Sequence, residues 1–126
     1  MFKQSLLSVA IAASLAVMPV QAQDKISGGV VKIGVLTDMS GLYMGNVGPG
    51  SVLASKLAIE EFGGKVAGKP IELVVADHLN KADVAAARAR EWIDRDGVDV
   101  VTELGNSAVA LAVMNIAAEK NRMTMA

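Results

Sequence analysis

Cysteine is absent from this sequence, aromatic side chains make up only 3% of it, and there are three prolines and a single histidine. With no cysteine there is no disulfide framework, no thiolate nucleophile, no cysteine-based metal site and no cysteine to carry a lipid anchor. Strong charge of either sign is also lacking: 12 Lys and Arg face 13 Asp and Glu, for a formal net charge of −1. A near-neutral chain with few rings offers neither a basic footprint nor a stacking platform, so nucleic acid is excluded as a partner class. What is present is apolar aliphatic residue: 52% of the chain is hydrophobic, a globular rather than a disordered composition.

The first twenty-two residues read differently from the rest. Lys3 supplies one positive charge, and Leu6 to Val17 is an apolar run interrupted only by Ser8 and Ser14. Pro19 ends any helix, and Val20-Gln21-Ala22 places small residues where signal peptidase reads them, which predicts a secretory signal cleaved after Ala22. The apolar run is about a dozen residues, short of the twenty or so that a membrane span needs. Cleavage removes Lys3 and no acid, leaving a net charge of −2 on a product beginning near Gln23. These features predict export to a bacterial periplasm as a protein with no direct membrane insertion after the signal is removed.

From residue 23 onward the hydrophobic period alternates. Val30 to Thr37 is a β-branched run of strand length, nearly continuous in apolar character, as expected of a strand buried on both faces. A glycine-rich stretch to Gly50 follows, then a helical stripe from Ser51 to Phe62 stopped by Gly63-Gly64. The unit repeats: Pro70 to Ala76 predicts a strand, Asp77 to Lys81 a loop in which Asn80 caps the next helix, and Ala82 to Arg95 that helix. Val98 to Thr102 predicts a third strand, Glu103 to Asn106 a loop, Ser107 to Lys120 a third helix, and a fourth strand begins near Arg122. Trp92 falls on the apolar side of its helix, whereas Arg88, Arg90 and Glu91 read as a solvated face. Strands alternating with helices of this length predict an α/β fold, a parallel sheet with helices on both faces. The fourth strand, with nothing after it to cover it, predicts a truncated piece of a longer protein.

Ligands of open parallel sheets bind outside the carboxyl ends of the strands, which selects the loops 38–50, 77–81 and 103–107. In the first, Gly45 to Ser51 satisfies G-x-x-x-x-G, yet Ser51 stands where a phosphate-binding loop needs lysine. The dinucleotide fingerprint also fails on spacing, so no nucleotide cofactor is expected, and no other cofactor or metal. Tyr43, between Gly41 and Gly45, either walls a small ligand or packs on its own loop, and Ser40 either bonds a ligand or makes a turn with Gly41. Gly105-Asn106-Ser107 opens a helix, so backbone N–H groups and the Ser107 hydroxyl meet the positive end of a dipole suited to a carboxylate. Capping by Asn106 or Ser107 is compatible with that role. His78, beside Asp77, invites a catalytic or metal reading, but a lone histidine without a second ligand-spaced partner argues for a place at the cleft edge or in the packing.

These segments together carry a family likeness. Lys32-Ile33-Gly34-Val35-Leu36-Thr37-Asp38-Met39-Ser40-Gly41, Ala58-Ile59-Glu60-Glu61-Phe62-Gly63-Gly64, Gly68-Lys69-Pro70-Ile71-Glu72, Asp77-His78-Leu79-Asn80-Lys81 and Asn106 to Val113 resemble, in order, the amino-terminal third of type I periplasmic substrate-binding proteins of ABC importers, the Leu/Ile/Val-binding family. The resemblance implies two α/β lobes closing on a small ligand and delivering it to an inner-membrane ABC permease, with residues 23–126 forming the amino-terminal part of the first lobe. It implies that Gly105, Asn106 and above all Ser107 grip a ligand carboxylate, and that the loop of Ser40 and Tyr43 walls the pocket, with His78 at its edge. The Asp-His-x-Asn-Lys loop resembles a branch that includes binders of aromatic acids, so the ligand is an amino acid or another small carboxylate.

Two rivals are kept open. A secreted α/β enzyme such as a hydrolase would use His78 with Ser40 or Ser107, but the sequence has no Gly-x-Ser-x-Gly elbow and no complete acid, base and nucleophile set. A ligand-sensing domain of the same fold would differ only in what it is joined to.

Overall fold

The structure, a computed structural model, describes residues 28–126. The secretion signal read over residues 1–22 and its cleavage point lie outside the described residues. Strand β1 (Val31–Thr37) leads through the first loop to α1 (Gly48–Glu61). A two-residue strand β2 (Lys65–Val66) turns back on β3 (Lys69–Asp77), followed by α2 (Ala82–Glu91), β4 (Val100–Thr102), α3 (Ser107–Glu119) and β5 (Met123–Met125). The sheet order is β2-β3-β1-β4-β5. β1 is central, paired in parallel with β3 and with β4, and β4 pairs in parallel with β5. Parallel pairing on both edges makes β1 interior to the sheet, and helices on both faces of the sheet account for its nearly continuous apolar run.

The structure departs from the expected parallel sheet at one edge, where β2 pairs antiparallel with β3 through Lys65–Pro70 and Val66–Lys69. Its turn is built by Ala67 and Gly68, both at positive φ (50° and 75°). Short, charged and proline-bearing, this hairpin protects the sheet edge from further pairing. The first helix starts at Gly48 rather than Ser51, with Pro49 in its first turn, where a missing N–H costs nothing. The second helix runs as α-helix only to Glu91 and closes in a π turn over Trp92–Asp96, stopped by Gly97 at φ 69°.

Pleating divides the sheet between two helical layers. Gly34 and Leu36 face α2 and α3, and the main core forms there from Leu36, Ala85, Ala89, Trp92, Val98, Val101, Leu104, Val109 and Val113. Ile33, Val100, Thr102 and Met125 face the opposite side, where α1 places Ser55, Ala58 and Ile59 against them. Arg88 and Glu91 form an exposed i,i+3 ion pair, as the solvated face requires. Among the described residues no helix is long and apolar enough to cross a membrane.

Candidate functional site

All three loops selected from the sequence leave the carboxyl edge of the sheet, and each is fixed to the next. The first is organised by Asp38, fully buried directly after β1, whose carboxylate accepts the N–H groups of Gly41 (2.7 Å) and Tyr43 (2.9 Å). A Cβ on Gly41 would lie 2.6 Å from that carboxylate, so the turn closes only around glycine. Thr37, also fully buried, accepts the Gly48 N–H on its hydroxyl (3.0 Å) and so sets where α1 begins.

The second loop is tied to the first by Asp77 at the end of β3. Its carboxylate accepts the Ser40 hydroxyl (2.6 Å) and the N–H groups of Met39 (3.1 Å) and Leu79 (2.7 Å). The third is tied to the second by a carboxamide pair, with Asn106 Nδ2 donating to Asn80 Oδ1 (2.6 Å). Gly105 in turn lies against Val47 of the first loop, close enough that a Cβ there would be 3.0 Å from Val47 Cγ1. Loop one holds loop two, two holds three, and three packs on one.

Asn106 caps α3, its Oδ1 accepting the N–H groups of Ala108 (2.8 Å) and Val109 (3.1 Å). Asn80 does not cap α2, as the sequence had suggested; the cap position belongs to Lys81, with no side-chain capping bond, and the Asn80 side chain serves Asn106 instead. Of the residues read as ligand-facing, Ser40, Tyr43, Gly105 and Ser107 are exposed and Asn106 is half-buried. His78 is 1% exposed and sits beneath the loops. Its Nδ1 accepts the Asn80 N–H (2.9 Å), which leaves the proton of the neutral ring on Nε2, an atom with no hydrogen-bond partner among the described residues. Among the described residues no three His, Cys, Asp or Glu side chains converge as a metal site.

Two groups of the site titrate away from their usual range. Burial pushes the His78 imidazole down, against the pull of Asp38 and Asp77. For Asp77 burial pushes the other way, but the Ser40 hydroxyl, the Leu79 and Met39 N–H groups and the nearby imidazole outweigh it and hold the carboxyl low. In both cases the unfolded chain binds more protons than the folded one just below the ordinary pKa, 6.5 for the histidine and 3.8 for the aspartate, so stability rises with pH through each window. The histidine contribution is complete above pH 6.5 and is lost as pH falls through the folded value. Tm is therefore expected to drop between pH 7 and 5, and the drop should shrink in His78→Asn, whose Oδ1 can accept the Asn80 N–H in place of Nδ1. Equal slopes for the two proteins would remove His78 as the source.

A mostly parallel α/β lobe with its loops locked together at the carboxyl edge of the sheet is a ligand-binding architecture of the open-sheet class. The sequence pattern of the periplasmic binding protein family matches residues 30–126, and the chain belongs to that family. Among solved structures it is similar to a periplasmic binding protein from Burkholderia mallei, with 55% identity and a TM-score of 0.74 over 76% of this chain and 26% of that one. It is similar also to a branched-chain amino acid ABC transporter periplasmic ligand-binding protein from Burkholderia xenovorans, with 50% identity and a TM-score of 0.70 over 75% and 25%. A solute-binding protein of an ABC transporter from Rhodopseudomonas palustris, in complex with 3,4-dihydroxybenzoic acid, shares 30% identity and a TM-score of 0.69 over 76% and 26%. The chain thus spans about a quarter of the length of these relatives. Comparison with curated proteins gives no match.

Proposed function

We propose that residues 23–126 form the first part of the amino-terminal lobe of a periplasmic solute-binding component of an ABC importer, which captures a small carboxylate-bearing ligand, an amino acid or an aromatic acid, and hands it to an inner-membrane permease. The observation that carries this reading is the start of α3. Asn106 satisfies two of the four orphan N–H groups and Ser107 stands exposed beside the remainder, so hydroxyl and helix dipole are both available to an anion at the edge where open-sheet ligands bind. The ligand and transport roles of the relatives, dihydroxybenzoate in one and branched-chain amino acids in another, support the same class. Ser107, Asn106 and Gly105 grip the carboxylate, and Tyr43 and Ser40 wall the pocket. His78 supports them from below. Binding proceeds without turnover. The hydrolase reading is weaker, because Ser40 donates to Asp77 and not to a histidine, and the Nδ1 of His78 is already occupied by a backbone N–H.

The test is a thermal-shift panel of aliphatic amino acids, aromatic carboxylates, amides and sugars on the full-length protein. A ligand bound only by the folded state raises Tm by mass action, by about 2.7 kcal/mol of stability at a hundredfold excess over Kd. A shift with one carboxylate class and no product formed is the expected result. Shifts confined to neutral sugars or amides would overturn the carboxylate assignment.

A further inference from the structure

Asn80 holds a conformation that few side chains tolerate, φ 54°, next to Leu79 at the same value. Asparagine is among the residues that best accept this region. Both ends of the residue are committed. Its backbone N–H donates to the buried His78 Nδ1, and its side-chain oxygen accepts from Asn106 Nδ2. The Asn106 carboxamide has two ends of almost the same shape, and only the oxygen can accept the N–H groups of Ala108 and Val109. An acceptor on the far side therefore reinforces the orientation that those two donors select, and holds the carboxamide against the second loop.

We infer that Asn80 is a positioning residue for the ligand site: by holding the Asn106 carboxamide in its capping orientation, it fixes the first turn of α3, and Ser107 with it, against the other loops. The inference rests on the proposal that the ligand carboxylate is bound at that turn. The path runs from the interior outward, His78 fixing Asn80, Asn80 orienting Asn106, and Asn106 holding Ala108 and Val109. Without the Asn80 acceptor, the Asn106 side chain is no longer held from its Nδ2 end and can swing away from those two N–H groups toward water, and the turn loses its anchor.

Asn80→Gly removes the acceptor while keeping a residue that accepts positive φ. In the full-length protein it is expected to speed hydrogen exchange at the Ala108 and Val109 amides at least fivefold while leaving the Val113 amide, deeper in α3, unchanged. Affinity for 3,4-dihydroxybenzoate or L-leucine, whichever the wild type binds, should fall about tenfold. Asn80→Asp keeps an acceptor and should restore slow exchange. Should Asn80→Gly not fold, Asn80→Ser serves: the shorter side chain cannot reach Asn106 Nδ2, and the same exchange pattern and tenfold loss are expected. A role in stability alone would accelerate all three amides together and leave affinity untouched at temperatures where the protein is folded, and that result overturns the inference while the binding function stands. A wild type that binds no carboxylate overturns both, whatever the exchange rates.

Discussion

Replacing Trp92 with alanine should lower the free energy of unfolding by about 3–5 kcal/mol, the range for removing a large aromatic from a packed core. The indole is 4% exposed and fills a space that the sheet opens by placing Gly34 on its central strand, since a Cβ there would lie 2.5 Å from Trp92 Cζ3 and 3.2 Å from Val98 Cγ1. Trp92 also begins the π turn, and its carbonyl accepts the Val98 N–H (3.0 Å) where the chain re-enters the sheet. The ring thus joins β1, the end of α2 and the approach to β4. Because Gly34 and Trp92 share one space, Gly34→Ala should cost about 1–3 kcal/mol by overpacking in the wild type and much less in the Trp92→Ala background. Urea denaturation of the four proteins forms the cycle, with Leu111→Ala, at 64% exposure, as a surface control expected within about 0.5 kcal/mol of wild type. Additive losses at positions 34 and 92 would show that the two do not share the space.

That pair also marks the limit of what periodicity reveals. Val30 to Thr37 announces a buried central strand because every residue but Lys32 is apolar or small, and the helices announce themselves by stripe and glycine stop. Gly34 reads in sequence only as a weak strand residue; its reason, an indole arriving from fifty-eight residues away, exists only in three dimensions. The hairpin of β2 was missed for a related cause, since Lys65-Val66 is too short to show a period and its turn relies on Ala67 at positive φ. The π turn is indistinguishable from plain helix in sequence because its residues fit either pattern.

At the site the same division holds. The start of α3 is legible, because a cap residue opening a helix after a strand has a local signature, and the cap falls on Asn106. The two aspartates that organise the loops, Asp38 and Asp77, stand out in sequence only as loop starts and, for Asp77, as a neighbour of His78. Each ends a strand and is followed by residues whose N–H groups it collects, the pattern of an Asx-type turn, and that signal could have identified them. Asn80 shows the opposite failure, a local capping signature overridden by a partner twenty-six residues away in sequence.

Asp38→Ala is the second large effect, expected to cost about 3 kcal/mol, because it removes a fully buried acceptor that holds two backbone N–H groups and leaves a void in its place. Asp38 is fully buried, and the N–H groups of Gly41 and Tyr43 that its carboxylate accepts have no other partner among the described residues. With the acceptor gone, those groups can regain partners only by turning toward water, which unwinds the turn and carries Tyr43 away from the wall position proposed for it. Stability and ligand affinity should therefore fall together. Asp38→Asn should lie between wild type and alanine, since its oxygen keeps one N–H while its NH₂ faces the other. Ser40→Ala removes a single exposed hydroxyl from Asp77, which retains two backbone donors, and should cost no more than about 1 kcal/mol. Chemical denaturation gives the ranking, and the near-UV signal of Tyr43, the only tyrosine, reports whether the loop has reorganised in the folded protein. If Asp38→Ala costs no more than Ser40→Ala, the loop is held by the packing of Val47 and α1, and the buried Asp38 side chain is not what shapes it.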